Sequence, residues 1–165
     1  MKKKIIVLLL AGLFLLSCQD SSVEPENQFV QIFFKYGIKN ELNTFENTYQ
    51  KDLFLDGVIK VKFWLTADEQ NKILEKAYSV NYFSMPDTFK VSPWDSIYIY
   101  TSPDSSEQIL RIKYQDKEKT TIWTYPLVEN MSQFKDLLEL QQFIISIIES
   151  KPEYKKLPDH RGGYM

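Results

Sequence analysis

The sequence predicts an α+β domain in which an antiparallel sheet carries two amphipathic helices on one face. Several segments alternate apolar and polar residues with a period of two, as half-buried strands do. Two longer segments have the 3.6-residue period of amphipathic helices. The predicted order is three strands and a helix, then three strands and a helix, which favours a two-layer sandwich.

Length and composition fit one β-rich domain. The 165 residues include eleven phenylalanines, ten tyrosines and three tryptophans, but only five glycines. Aromatic residues are enriched in strands and bury large apolar surfaces. We expect a single domain over residues 28–151, followed by a polar C-terminal tail over residues 152–165.

The first 17 residues have the layout of a secretory signal peptide. Three lysines at positions 2–4 precede an apolar or small run from Ile5 to Leu16. A membrane-spanning helix needs about 20 apolar residues. The run is shorter than that and matches the apolar region of a signal peptide, so we predict cleavage rather than a membrane span.

The end of this run, Leu15-Leu16-Ser17-Cys18, resembles the lipobox of bacterial lipoproteins. The resemblance implies that Cys18 is lipidated and becomes the first residue of the mature chain. Two or three acyl chains would then hold the protein at the membrane. Cys18 is the only cysteine in the sequence, so the mature domain is expected to have no disulfide.

The residues after Cys18 bear on localisation. Gln19 follows the cysteine and Asp20 comes one place later. By resemblance to lipoprotein sorting signals, this order favours the outer membrane over the inner membrane. It leaves the periplasmic side and the cell surface as alternatives. Residues 18–27 are polar and lack periodicity, which predicts a flexible tether.

The first half of the domain has a clear hairpin and helix. One strand is predicted from Phe29 to Tyr36, and a weaker one lies between Leu42 and Leu55. Asp56-Gly57 predicts a two-residue type I′ turn into a strand over 58–65. Thr66 and Glu69 then form a capping-box pattern for a helix that ends near Ser79.

The second half begins with an aperiodic loop over residues 81–95. Strands are predicted at 96–101, 108–115 and 119–125, with turn-forming residues between them. A strongly apolar helix should run from about Asn130 to Ser150, at the centre of the core. Pro152 is expected to stop it.

The Asp56-Gly57 hairpin and the following Leu65-Thr66-Ala67-Asp68-Glu69 are similar to an uncharacterised lipoprotein domain family. Members of that family have a strand, an Asp-Gly turn, a second strand and a capped helix. Many also carry cysteines before the hairpin, where this chain has none. The resemblance covers about residues 29–150 and implies no catalytic residues.

Charge argues against nucleic-acid binding. Cleavage after residue 17 would leave 17 basic and 22 acidic groups, a net charge of about −5. Proteins that bind phosphate backbones carry clustered positive charge, and no basic cluster remains after cleavage.

The sequence contains little that indicates catalysis. His160, the only histidine, lies in the predicted tail, where a Ser-His-Asp triad would not be held rigidly. No cysteine or histidine set matches a metal site, and no glycine-rich phosphate loop is present. We therefore expect no metal, no cofactor and no enzymatic activity.

Exposed aromatics provide the candidate binding surface. Trp64, Tyr98 and Tyr100 are predicted on outward strand faces, where they would suit an envelope protein or glycan partner. Alternatively, they are ordinary strand residues or are covered by the 81–95 loop. The alternative function is a small hydrolase that acts on cell-envelope polymers through paired carboxylates.

Overall fold

A computed structural model describes residues 29–89, 106–124 and 131–162. Within these ranges the chain forms seven strands and three α-helices. The strands are β1 Gln31–Tyr36, β2 Asn40–Asn43, β3 Thr48–Asp52, β4 Val58–Lys62, β5 Thr88–Phe89, β6 Gln108–Tyr114 and β7 Lys117–Trp123. The helices are α1 Ala67–Ser79, α2 Met131–Ser150 and α3 Pro152–Lys155.

The strands form one sheet in the order β4-β3-β2-β1-β6-β7-β5. The α+β class is confirmed, but the expectation of a purely antiparallel sheet is wrong because β5 pairs with β7 in parallel. A two-residue strand has no detectable periodicity, so the sequence could not reveal it. Phe89 packs against Phe134 of α2, and this contact brings β5 to the sheet edge.

The segment predicted as one weak strand between Leu42 and Leu55 forms two strands. Asn43 Oδ1 accepts hydrogen bonds from the backbone N–H groups of Phe45 and Glu46, and Asn47 has a left-handed backbone, with φ of 53°. Asparagine tolerates this conformation and bonds its own backbone in turns. These two asparagines therefore turn the chain back, and β3 pairs with β2.

The predicted hairpin between β3 and β4 is present, but its turn is not type I′. The last strand pair is Asp52 with Val58, so five residues connect the strands. Positive φ occurs at Phe54 and Gly57, and the backbone N–H of Leu53 donates to Gly57 O at 2.8 Å. The longer loop contributes Phe54 to the wall of a cavity.

One face of the sheet carries the core. Along β1 the buried residues alternate with half-buried ones, and the buried residues of α1 and α2 join the same cluster. Its fully buried members include Ile32, Phe34, Ile112, Leu137 and Ile144. As predicted, α2 supplies a large apolar share of this core.

The capping box at the start of α1 is present. The backbone N–H of Glu69 donates to Thr66 Oγ1 at 3.2 Å, and the backbone N–H of Thr66 donates to Glu69 Oε2 at 2.7 Å. Lys151, just beyond α2, reaches the same carboxylate, with its Nζ 2.7 Å from Oε2 and 2.9 Å from Oε1. Glu69 thus joins the start of α1 to the end of α2.

Pro152 ends α2 as predicted, but it also begins a third helix, which was not predicted. Proline suits the first position of a helix because its missing N–H would have no intrahelical partner there. The resulting one-turn helix α3 directs the chain back over the sheet. The strand predicted at residues 96–101 lies outside the described residues.

Candidate functional site

Trp64 lies two residues beyond the end of β4 and points away from the core. Its neighbours Phe63 and Leu65 are buried, whereas the Trp64 side chain is 54% exposed. It continues the exposed side of β4, which also presents Lys60 and Lys62. A large aromatic ring is therefore available to a partner at this corner.

The corner also lies at an open edge of the sheet. β4 is the terminal strand, and among the described residues no strand pairs with its second edge. Lys60 pairs with Glu46 at 3.3 Å, whereas Lys62 has no ion-pair partner in the described ranges. Lysines on an edge strand discourage uncontrolled strand addition. The lysines of β4 therefore make backbone pairing at this edge unfavourable.

The other predicted site residues fall outside the described ranges. Tyr98 and Tyr100 belong to the segment between Phe89 and Ser106, and Cys18 precedes residue 29. Of the three aromatic residues predicted to form a binding surface, only Trp64 lies within the described residues. Across the three described ranges no helix is long and apolar enough to cross a membrane.

A cavity of about 240 Å³, here named the tail cavity, lies at the opposite end of the β3–β4 hairpin from Trp64. The strands and turns contribute one side of it and the chain after α2 contributes the other. The residues that line it include Ile38, Asn40, Lys51, Phe54, Tyr154 and His160.

Several contacts hold the C-terminal chain against this cavity. Arg161 makes a bidentate ion pair with Asp56, with Nε 2.7 Å from Oδ2. The His160 ring meets Phe54 edge-on, with centroids 4.7 Å apart, and Arg161 forms an isolated parallel bridge with Phe54. The polar residues expected to form a tail therefore pack on the hairpin loop as far as Gly162.

Phe54 adopts a left-handed backbone, with φ of 56°. For a bulky residue this conformation is an outlier that the surroundings must enforce. Such strain is concentrated at ligand-binding and catalytic sites. Here it directs the Phe54 ring toward His160 and the tail cavity.

Lys51 and Asp52 both line this cavity, and Lys51 supplies its ammonium group. The Lys51 side chain is buried, although it carries an ammonium group. Its Nζ donates to Pro158 O at 2.9 Å and lies 4.9 Å from the centre of the Tyr154 ring. No ion pair joins Lys51 to a carboxylate in the described part of the chain.

Asn40 adds a second donor to the cavity wall. Its Oδ1 accepts from the backbone N–H of Asp52 at 2.9 Å, which fixes the orientation of the amide. The Nδ2 group faces Gly37, within about 3.0 Å of where a Cβ on that glycine would lie. No described residue accepts a hydrogen bond from this Nδ2.

Two buried tyrosines, Tyr36 and Tyr49, and the partly buried Tyr154 lie near Lys51. The hydroxyls of Tyr36 and Tyr49 are 2.7 Å apart, and the Tyr154 ring meets Tyr49 edge-on. Burial raises the pKa of Tyr36 and of Tyr49 far above the usual tyrosine range. Burial, with the nearby Glu149 carboxylate, also raises the pKa of Tyr154. All three hydroxyls are therefore protonated at neutral pH.

A second concavity, a groove of about 510 Å³, is lined by residues of α2 and by Lys76 of α1. Leu138 and Phe143 form its apolar part, and the Lys76–Glu139 ion pair at 3.1 Å crosses it. This groove contains one acidic side chain, Glu139, and the tail cavity likewise contains one, Asp52. Neither concavity presents the paired carboxylates that glycoside hydrolysis requires.

Metal ligands are not grouped in the described part of the chain. No three histidine, cysteine, aspartate or glutamate side chains lie close enough there to hold an ion. The expectations of no metal and no cofactor therefore stay predictions for the whole chain.

Comparison with family models and with curated proteins gave no match. The resemblances to a lipobox and to a lipoprotein domain family therefore stay predictions.

The tail cavity could not be predicted from the sequence because its residues are far apart in the chain. Lys51 lies in a weakly patterned segment, and His160 lies in a segment whose composition predicts a polar tail. The sequence does contain a signal that the chain after α2 is ordered. Pro152 suits the first turn of another helix, and Tyr154 and Leu157 supply apolar side chains that can pack on the domain.

Proposed function

We propose that this protein is a lipid-anchored lipoprotein of the bacterial cell envelope, with the outer membrane favoured. The proposal depends on the lysine-rich start, the 12-residue apolar run and Leu15-Leu16-Ser17-Cys18. Cys18 would carry the acyl chains, residues 18–27 would serve as the tether, and the folded domain would follow.

We further propose that the domain binds an envelope protein or glycan without catalysing a reaction. The observation that carries this proposal is Trp64, which is 54% exposed between two buried neighbours. Tryptophan is enriched at binding hot spots because a rigid ring buries much apolar area at little cost in conformational entropy. Its indole N–H remains available to a polar partner.

The surroundings of Trp64 suit a polar, partly acidic partner. Lys60 and Lys62 extend from the same side of β4. Their charges would guide an acidic surface toward the ring and limit nonspecific strand pairing. Tyr98 and Tyr100 belong to the same proposal as further contact residues.

The anchor is tested by the Cys18→Ala variant. The wild-type protein, extracted from membranes, should have the mass of residues 18–165 plus acyl chains and should partition into detergent. The variant should accumulate as an unprocessed precursor. Wild-type protein that retains residues 1–17, or carries no acyl mass, would contradict the anchor.

The binding proposal is tested by capture with the full-length chain in detergent. Envelope extract and purified cell-wall glycan are two separate arms, and Trp64→Ala is compared with the wild type. Val58→Ala is the matched control because Val58 is exposed on the same side of β4, near the opposite end. Retention of a partner by wild type and Val58→Ala, but not by Trp64→Ala, would support the proposal. Equal retention by all three folded proteins would remove Trp64 from the binding surface.

A further inference from the structure

The tail cavity has the features of a ligand site that is independent of the Trp64 surface. It lies between the β1–β2 turn, the end of β3 and the chain after α2, and Lys51 is 8% exposed within its wall. Burial of an ammonium group is unfavourable unless an opposite charge and hydrogen bonds compensate it. A carbonyl oxygen and an aromatic ring are the compensation that the described residues supply.

Among the described residues the compensation of Lys51 is incomplete, which favours an anionic ligand. An ammonium has three donors, and one described acceptor, Pro158 O, uses one of them. Asn40 Nδ2 provides another donor in the same wall. An anionic group placed between these donors would neutralise Lys51 and gain charge-assisted hydrogen bonds.

The rest of the wall restricts which anion fits. Asp52 also lines the cavity, and its carboxylate would repel any anion, most strongly one that carries two negative charges. Ile38, Phe54 and Tyr154 provide apolar and aromatic surface. The volume of about 240 Å³ is below the usual range for drug-sized ligands, about 300–1,000 Å³.

We propose that the tail cavity binds a small monocarboxylate with an apolar or aromatic body. The carboxylate would lie on Lys51 Nζ and the Asn40 amide, and the apolar body would lie against Phe54 and Tyr154. The chain after α2 closes the cavity through the Lys51–Pro158 hydrogen bond and the Arg161–Asp56 ion pair. Bound ligand would therefore also stabilise the position of this chain segment.

The test uses the full-length, isotope-labelled chain in detergent and three probes, namely benzoate, hexanoate and benzamide. We expect benzoate or hexanoate to shift the backbone amide signals of Gly37 and Asn40 saturably. Benzamide, which has the shape of benzoate without its charge, should leave them unchanged. This comparison needs no variant, so it does not depend on the folding of one.

Lys51→Met then tests the assigned charge. The variant should weaken carboxylate binding at least tenfold, whereas Lys155→Met should bind as the wild type does. Lys155 is the matched control because it is an exposed lysine in the adjacent helix α3. Trp64→Ala should also bind normally, which separates this proposal from the Trp64 surface.

Three results would overturn the proposal. They are no saturable shift with either carboxylate, equal shifts with benzamide, or unchanged affinity in a folded Lys51→Met variant. The first would leave Lys51 with a purely structural role as the anchor of the C-terminal chain.

Discussion

Lys151 and Lys51 are buried to nearly the same degree, with 9% and 8% of their surface exposed. Their ammonium groups, however, have different partners. Lys151 contacts both carboxylate oxygens of Glu69 and thereby joins α2 to the capping box of α1. Lys51 contacts a carbonyl oxygen and the face of Tyr154. The first lysine is neutralised within the fold, whereas the second lies in the wall of a cavity.

The difference separates an ion pair that stabilises the structure from a charge that is available to a ligand. Removing one member of a buried pair leaves the other charge uncompensated, which is strongly destabilising. Lys51 has no carboxylate partner among the described residues, so its removal leaves no such charge behind there. The two lysines should therefore respond differently to the same substitution.

The largest effect is expected for Lys151→Met. Loss of one partner from a fully buried pair costs about 3–5 kcal/mol. Because the Glu69 side chain keeps 22% exposure and its bond to the Thr66 backbone, we expect about 2 kcal/mol here. Urea denaturation would measure this loss in the free energy of unfolding.

Lys72→Met is the matched control for this effect. Lys72 also pairs with a carboxylate of α1, at 2.6 Å from Asp68, but both side chains are more than half exposed. Exposed pairs contribute at most about 1 kcal/mol. Equal losses for the two variants would show that the Lys151–Glu69 pair has no special structural role.

The Lys151–Glu69 pair also predicts that the folded state loses stability in acid. Burial alone would raise the pKa of Glu69, but the hydrogen bonds from Lys151 and from the Thr66 backbone lower it below the ordinary value. Its contribution to stability is therefore complete above the unfolded pKa, about 4.3, and is lost as pH falls through the lower folded pKa. Between about pH 5 and pH 3, wild type should lose more stability than Glu69→Gln. Parallel losses in the two proteins would contradict this origin.

A smaller effect is expected for Tyr49→Phe, beside Lys51. The variant leaves the buried Tyr36 hydroxyl without its partner at 2.7 Å, which costs about 1–2 kcal/mol. The double variant Tyr36→Phe/Tyr49→Phe removes both hydroxyls, so it should cost less than the sum of the single variants. An additive loss in denaturation experiments would show that the hydroxyls act independently.

Tyr36 and Tyr49 also make the stability of the folded protein sensitive to base. Because burial raises the pKa values of Tyr36 and Tyr49, the folded state favours their protonated forms. Their contribution is present below the unfolded pKa, about 10, and declines as pH rises above it. The double phenylalanine variant should therefore lose less stability than wild type above about pH 10. Equal alkaline losses would exclude these hydroxyls as the cause.

The smallest effect on stability is expected for Trp64→Ala. Surface substitutions of this kind usually change the free energy of unfolding by less than about 0.5 kcal/mol. The variant should therefore melt like the wild type even if it loses a partner. A large loss would mean that the ring supports the fold, and capture experiments with this variant would then not report on binding.

The sequence predicted the regular parts of this fold because their patterns are local. Alternation around Phe34 and the pair of Thr66 and Glu69 defined a strand and a helix start without tertiary information. The sequence did not predict β5, because a two-residue strand has no detectable periodicity. It also did not predict the asparagine turn that separates β2 from β3.

The two proposed functional regions differ in the same way. The exposed direction of Trp64 follows from alternation along one strand, so it could be predicted. The tail cavity combines Lys51 with Tyr154 and His160, more than one hundred positions later. No local pattern indicates that such residues meet, and their grouping becomes visible only when the chain after α2 is in place.

The central claim, that Lys51 is available to a carboxylate and Lys151 is not, is tested most directly by thermal unfolding with and without benzoate. A ligand that binds the folded state raises its stability with increasing concentration. Benzoate should raise the melting temperature of wild type and of Lys151→Met, relative to sodium chloride of equal ionic strength, and should not raise that of Lys51→Met. Equal rises in wild type and Lys51→Met, or no rise in wild type, would contradict the claim.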